Sequence, residues 1–308
     1  MAERTYWHPR ERRGRLSSHS RNPARTQAPP PTKPPLPNIP NGTHVISLNQ
    51  STMTKLICKA RLTKKVQQRD PTSVNIELIW SALESMNNGS PSLEKIWEKL
   101  SKNHRDLTSE ILNFIWKLTH DCFKISNYWK KIPAYENRGE CDHCQMTETM
   151  SHILFKCPLN HGERIWSIAR AICDQRKVPW PPSLNTSHIM AAPLTMIRPS
   201  NGHARPGEIR LYKIVILESA WQVWKARCHR VMNPDQPPTT LKEVTNALKV
   251  GLNNKQDISL TNKKKYGHKA LPTKLILHTW SGNLQQEEWL PVNWLHSSGV
   301  LVGILDPL

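Results

Sequence analysis

The chain has no run of about 18 apolar residues, so no segment reads as an α-helical membrane span. Its first residues, MAERTYWHPRERRGR, lack the apolar core of a secretory signal. A reducing, intracellular setting is therefore expected, where paired cysteines are uncommon. The seven cysteines are Cys58, Cys122, Cys141, Cys144, Cys157, Cys173 and Cys228, and an odd, dispersed set argues against a disulfide framework. Carboxylates are also scarce. Against 43 Lys and Arg there are 24 Asp and Glu, and these fall mainly on exposed helix faces, as at Glu94, Glu98 and Glu110. Metal-dependent nucleases need several converging carboxylates. Asp121 and Glu140 read as surface or supporting groups. No F/Y-x-D-D, G-x-S-x-G, H-E-x-x-H or P-loop pattern occurs. No catalytic residue is assigned, and the chain is not expected to be an enzyme.

Apolar content is low as well, at 37%, which implies that part of the chain does not pack into a core. Residues 1–41 are that part. They form a Pro/Arg-rich arm, with Arg10, Arg12, Arg13 and Arg15 near its start and prolines from Pro29 to Pro40, expected to be extended and disordered. The net charge of +19 and pI near 9.8 favour polyanionic partners, with RNA or DNA first, because bound phosphates release counterions. The arginines of the arm and a second basic stretch, Lys263, Lys264, Lys265 and Lys269, are the candidate contacts.

Between arm and tail the pattern is helical, and the expected fold is a mainly α helical array. Asn75 to Met86 carries Ile76, Leu78, Ile79, Trp80 and Leu83 and is broken by Asn87, Asn88 and Gly89. A helix after Ser90-Pro91 has the stripe Leu93, Ile96, Trp97, Leu100. A third, capped by Thr108 or Ser109, lines up Ile111, Phe114, Ile115, Leu118 and Cys122, which makes Cys122 a packing residue. Trp129 to Arg138 reads as a loop. Gly162 to Lys177 reads as a helix. Residues 178–206 hold six prolines and read as a linker. A long helix from Glu208 to Met232 has the seam Ile214, Leu217, Trp221, Trp224 and Cys228. Another carries Leu241, Val244, Leu248 and Leu252 behind a Thr239 or Thr240 cap. Short apolar runs follow at Leu275-Ile276-Leu277 and Val300-Leu301-Val302, and one small strand pair is expected near the C-terminus. The expected division is 1–41 arm, 42–70 linker, 71–177 helical segment with a cysteine cluster, 178–206 linker and 207–308 helical region with a basic tail.

One constellation carries chemistry. GECDHCQMTETMSHILFKCP spaces Cys141, Cys144, His152 and Cys157 as C-x2-C-x7-H-x4-C. Three thiolates and an imidazole satisfy tetrahedral Zn2+. The C-x2-C pair suits a tight turn whose backbone N–H groups face the sulfurs. Thr149 can cap a short helix from Met150 that aims His152 inward. Four protein ligands leave no open position, so the expected zinc is structural. His143 and His161 are spare imidazoles that could replace a ligand. An iron–sulfur cluster would want a fourth cysteine.

Residues 115–166, IWKLTHDCFKISNYWKKIPAYENRGECDHCQMTETMSHILFKCPLNHGERIW, resemble the reverse transcriptase zinc-binding domain found near the C-terminus of LINE-like (non-LTR) retroelement polyproteins. The matching elements are Trp129, Cys141/Cys144, Glu148-Thr149 before His152, Ile153-Leu154, Cys157-Pro158 and Trp166. RLYKIVILESAWQVWKARCHRV, LTNKKKYGHKALPTKLILHTW and GVLVGIL look like the tail of the same family, so the resemblance covers roughly residues 70–305. It is closest to the fungal type, in which this segment follows a ribonuclease H domain, and 42–70 could be a remnant of that domain. The resemblance implies zinc on Cys141, Cys144, His152 and Cys157 and a nucleic-acid role, with other parts of the polyprotein as further partners. Reverse transcription and RNA cleavage are not carried over, because no catalytic motif matches. The competing expectation is a zinc-stapled helical scaffold that packs on an enzymatic domain without touching nucleic acid.

Overall fold

The computed structural model describes residues 49–62, 69–86, 91–100, 106–197, 205–266, 270–291, 294–296 and 300–303, with backbone alone at 58–62, 257–266 and 296. The chain divides into two units, 1–67 and 68–308. In the first, α1 (Gln50–Leu62) starts behind Asn49, whose Oδ1 accepts from the Thr52 N–H at 2.8 Å and the Thr52 hydroxyl at 2.9 Å. That is an N-cap, and it makes a helix where the sequence suggested a linker.

The second unit is helical. Among the described residues no β-strand forms, and β pairing is limited to two isolated antiparallel bridges, Glu140 with Thr147 and Leu284 with Val302. α2 (Asp70–Ser85) has Pro71 in its first turn, where a missing N–H costs nothing, and buries Ile76, Ile79 and Leu83. α3 (Leu93–Leu100) buries Ile96. α4 (Ser109–Thr119) is capped by Thr108, whose hydroxyl accepts from the Ile111 N–H, and buries Ile111, Phe114, Ile115 and Leu118. The helix stops at Thr119, and Asp121 takes the left-handed conformation. Cys122 therefore leaves the stripe. It is exposed, with its sulfur 3.1 Å from an Arg69 guanidinium nitrogen, and does not pack the core as expected.

Two further expectations are corrected. Residues 178–206 are not a linker over their described part. Asn185 caps α7 (Thr186–Ala191) through the Ser187 and His188 N–H groups, and Ser187 to Thr195 are all buried, with α7 packed on α2, α4 and α8. The prolines mark the ends of this short helix, while the apolar run Ile189–Leu194 drives it inward. Leu275–Leu277 is not a strand but the middle of α10 (Thr273–Trp280). A three-residue apolar run carries no period that separates strand from helix. Val302 does pair in an antiparallel bridge, but with Leu284.

α6 (Gly162–Gln175), α8 (Pro206–Met232), α9 (Leu241–Tyr266) and α10 form the rest. α8 is central: α6, α9, α10 and the cysteine segment all pack on it. Every residue from Ile214 to Ala220 is buried, so the helix is surrounded rather than two-faced. Ile214 and Leu217 lie in the core as expected. Trp221 and Trp224 sit at its margin around Phe114, at ring separations of 5.8 and 6.1 Å. At Gly207 a Cβ would come 2.4 Å from the His278 carbonyl oxygen, so the α8–α10 crossing requires a residue without one. α9 begins with a reciprocal cap: Thr240 N–H donates to Glu243, and the Glu243 N–H donates to the Thr240 hydroxyl.

Candidate metal centre

The short α5 (Asn127–Lys130) and a 3-10 turn at Glu136–Gly139 lead into the cysteine segment. The Glu140–Thr147 bridge then closes a tight turn. Within it the Cys141 N–H donates to the Met146 carbonyl and the Gln145 N–H to the Cys141 carbonyl, both at 2.8 Å. Gln145 takes a left-handed conformation, φ +52°, unusual for a residue with a Cβ, and its amide steadies the turn by donating to the Asp142 carbonyl. This winding aims the Cys144 and His143 N–H groups at the Cys141 sulfur. Burial pushes that thiol's pKa up, but the two N–H groups and the nearby Arg230 charge outweigh burial and hold it below the ordinary value.

Thr149 then starts a helical turn. Its hydroxyl accepts from the His152 N–H at 3.1 Å and its carbonyl from the Ile153 N–H at 2.9 Å, as the capping expectation required. The turn that follows is wider than an α-helix. His152–Lys156 is a single π-turn, closed by the Cys157 N–H donating to the His152 carbonyl at 2.8 Å. The extra residue per turn swings Cys157 back over His152, which an α-helix at the same spacing would not do. Pro158 has no N–H, so it cannot serve the free carbonyls behind it. Side chains take them instead: Asn160 Nδ2 donates to the Ile153 carbonyl at 3.0 Å and Trp166 Nε1 to the Leu154 carbonyl at 2.7 Å. Ile153 and Leu154 themselves are fully buried and fix the turn to the core. Gly162 opens α6 directly against it, with a would-be Cβ 2.4 Å from the Leu154 oxygen. Gly162→Ala must push α6 or the π-turn away, and we expect a loss of about 1–3 kcal/mol in denaturant unfolding. A neutral result would show that the contact relaxes freely.

The outcome is convergence. One ligand atom from each of Cys141, Cys144, His152 and Cys157 lies within 4.8 Å of the others, and this is the one such group of three or more among the described residues. Cys157 Sγ is 3.9 Å from both Cys141 Sγ and Cys144 Sγ, close to the edge of about 3.8 Å that a tetrahedron with metal–sulfur bonds of about 2.3 Å requires. His152 is 3% exposed, and neither of its ring nitrogens has a hydrogen-bond partner. A buried imidazole without a partner is costly unless a metal takes one nitrogen. Burial keeps it neutral, the form that ligates. The donor set thus fits a metal ion. His143 is exposed and lies outside the group, and His161 is used elsewhere, its Nε2 2.7 Å from the Thr239 carbonyl oxygen.

Residues that the sequence reading did not assign complete the centre. Glu148, 2% exposed, accepts from Arg227 Nε at 3.0 Å, from Arg227 Nη2, and from Arg230 Nη2 at 3.4 Å. Arg230 Nη2 also lies 3.9 Å from Cys141 Sγ. A divalent ion on three thiolates would carry a net charge of −1, and Arg230 stands where it offsets that charge. The available signals were the place of Glu148 among the residues that carry the family resemblance and the R-x-x-R spacing on α8, which puts both arginines on one face. Of the nucleic-acid candidates, Arg10, Arg12, Arg13, Arg15 and Lys269 lie outside the described residues, as do the side chains of Lys263, Lys264 and Lys265. No family model, curated protein or solved structure matches the chain.

Proposed function

We propose that this protein is a zinc-stapled helical module that binds nucleic acid and has no catalytic step of its own, akin to the zinc-binding region of a LINE-like reverse transcriptase polyprotein. The observation that carries the reading is the convergence of Cys141, Cys144, His152 and Cys157 around a buried imidazole with no other partner. Zinc suits a mixed thiolate–imidazole set better than an iron–sulfur cluster does, and a four-ligand site is structural. The charge of +19 supports a polyanionic partner. The non-catalytic part is supported by the engagement of acidic groups with cations: Glu148 with Arg227 and Arg230, Asp106 with Arg210, Glu208 with Arg176 and Arg205.

The test is titration of labelled single-stranded RNA and DNA at several salt concentrations. We expect binding whose log–log salt slope is about −0.7 to −0.9 per phosphate contacted. We also expect no magnesium-dependent cleavage of an RNA–DNA hybrid. A chain that holds zinc but binds neither strand at low salt would leave the scaffold reading. That second reading draws on Val74 and Leu78, side by side on α2 and 53% and 44% exposed, as a face for a protein partner.

A further inference from the structure

Three clefts adjoin one another along the junction of α6 and α9. The first, about 410 Å³, opens beside the metal centre between Lys156, Cys157 and the start of α6. The second, about 600 Å³, shares Arg164 and Leu241 with it. The third, about 410 Å³, shares Lys249 with the second and ends at the Leu284–Val302 bridge. Residues from the first turn of α6 to its last line them in order, so the groove follows a helix of 14 residues, about 21 Å.

The charge along this groove is predominantly positive. Lys156, Arg164, Lys242 and Lys249 line it, and Glu163 is the one carboxylate among the described lining residues. The cleft on the other side of the metal centre contrasts with it: there Lys124, Arg138 and Arg227 are matched by Glu140, Asp142 and Glu148. The third cleft adds a polar group without a partner. Asn283 is 2% exposed, and neither its Oδ1 nor its Nδ2 finds a hydrogen bond. A buried amide without a partner is costly, and a ligand or a water in the cleft would complete it.

We infer that the α6–α9 groove is the track for one nucleic-acid strand, entering beside Cys157 and ending over Asn283. This deepens the nucleic-acid reading above and rests on it. At about 3.4 Å per phosphate along a helical strand, the groove accommodates on the order of six phosphates. Lys242 and Lys249, two turns apart on α9, and Arg164 opposite them on α6 contact the backbone as point charges, which gives affinity without sequence preference. Asn283 supplies a donor and an acceptor to a base or sugar at the far end.

The experiment compares the full zinc-loaded chain with two doubly neutralised variants of equal net charge, Arg164→Gln/Lys242→Gln in the groove and Lys95→Gln/Lys131→Gln on other faces. The probe is a labelled mixed-sequence single-stranded 20-mer. We expect the groove pair to weaken binding roughly tenfold and to flatten the salt slope by about 1.5, and the control pair to change affinity less than twofold. Lys242 is exposed, so Lys242→Gln alone, expected to weaken binding about threefold, serves if the pair lowers helicity. Wild-type binding with equal effects from both pairs would overturn the groove and leave the nucleic-acid reading standing. No wild-type binding at low salt would overturn both. Equal competition by polyglutamate through the same two residues would assign the groove to an acidic protein and overturn the inference.

Discussion

On the zinc reading proposed above, removing the metal with a chelator, or replacing Cys144 with serine, is expected to lower the melting temperature by roughly 10 °C or more and to unfold residues 138–160 first. Structural zinc sites supply a large share of the local folding free energy, and a loss of several kcal/mol at about 2–4 °C per kcal/mol gives this shift for a unit of this size. The local geometry explains where the loss falls. The Cys141–Met146 turn contains a strained Gln145, and the π-turn is an uncommon backbone form. Neither is held by a large core of its own. Ile153 and Leu154 are buried against α6 and α8, so α6 is the first helix to loosen with the turn. The pH dependence has a definite sign. Burial pushes the Cys157 thiol up to about 12 and also raises Cys144, so both carry protons at neutral pH in the metal-free protein. Zinc must expel them, and its affinity should fall as pH is lowered. In the metal-free protein the raised Cys157 value means that folding favours the neutral thiol. That contribution is full below the ordinary value near 9 and is lost as pH rises toward 12, so chelated protein should weaken in alkali over a range where zinc-loaded protein does not. One zinc per chain by elemental analysis, lost in Cys144→Ser together with helicity, checks the core claim. A folded chain with no bound metal would refute it.

The ligand set was legible because it is local. All four residues fall within 17 positions, and the chemistry of three thiols and one imidazole is visible without a fold. The stripes of α2 and α4 were legible for a similar reason: Ile76, Ile79 and Leu83, and Ile111, Phe114, Ile115 and Leu118, recur at helical spacing and are buried, whereas of the α3 stripe Ile96 is buried and Leu93 is exposed, as are Leu78 and Trp80 on α2. Three things were hidden. The π-turn depends on Pro158 withholding a donor and on Asn160 and Trp166 supplying others, which no periodicity reports. α7 was masked by the prolines around it. The spacing on α8 predicts a seam, whereas the helix is buried on most sides and carries Arg210, Glu218 and Arg227 inside. A charged residue in a sequence looks like an exposed one until its partner is located. Those partners lie far along the chain, as Asp106 does from Arg210 and Glu148 from Arg227.

Glu148→Ala should cost about 3–5 kcal/mol, because it strands two arginines that are mostly or wholly withdrawn from water. Burial alone would lower the Arg227 pKa, and the Glu148 carboxylate, with a smaller contribution from Cys228, more than compensates, so the guanidinium remains charged and has Glu148 as its main partner. Trp224, with its ring 5.3 Å from the Arg227 guanidinium carbon, adds a second attraction that survives the mutation but cannot replace a carboxylate. Arg227→Ala should cost a similar amount, and the double variant clearly less than the sum, with a coupling of about 1–3 kcal/mol in a double-mutant cycle. Additive losses would mean that the two residues act independently and would sink the argument. The more telling readout is metal affinity. The Glu148 pair ties the cysteine turn to α8, and Arg230 reaches both Glu148 and the Cys141 sulfur. Loss of such supporting contacts typically weakens a metal site by about 10–100-fold. A buried ion pair can often be exchanged for apolar side chains without loss of stability. Glu148→Leu/Arg227→Met therefore separates two roles. If the pair only stabilises the fold, this variant regains both stability and zinc affinity. If the pair sets the angle at which the turn meets α8, stability returns while zinc binding stays weak, and that is the result we expect.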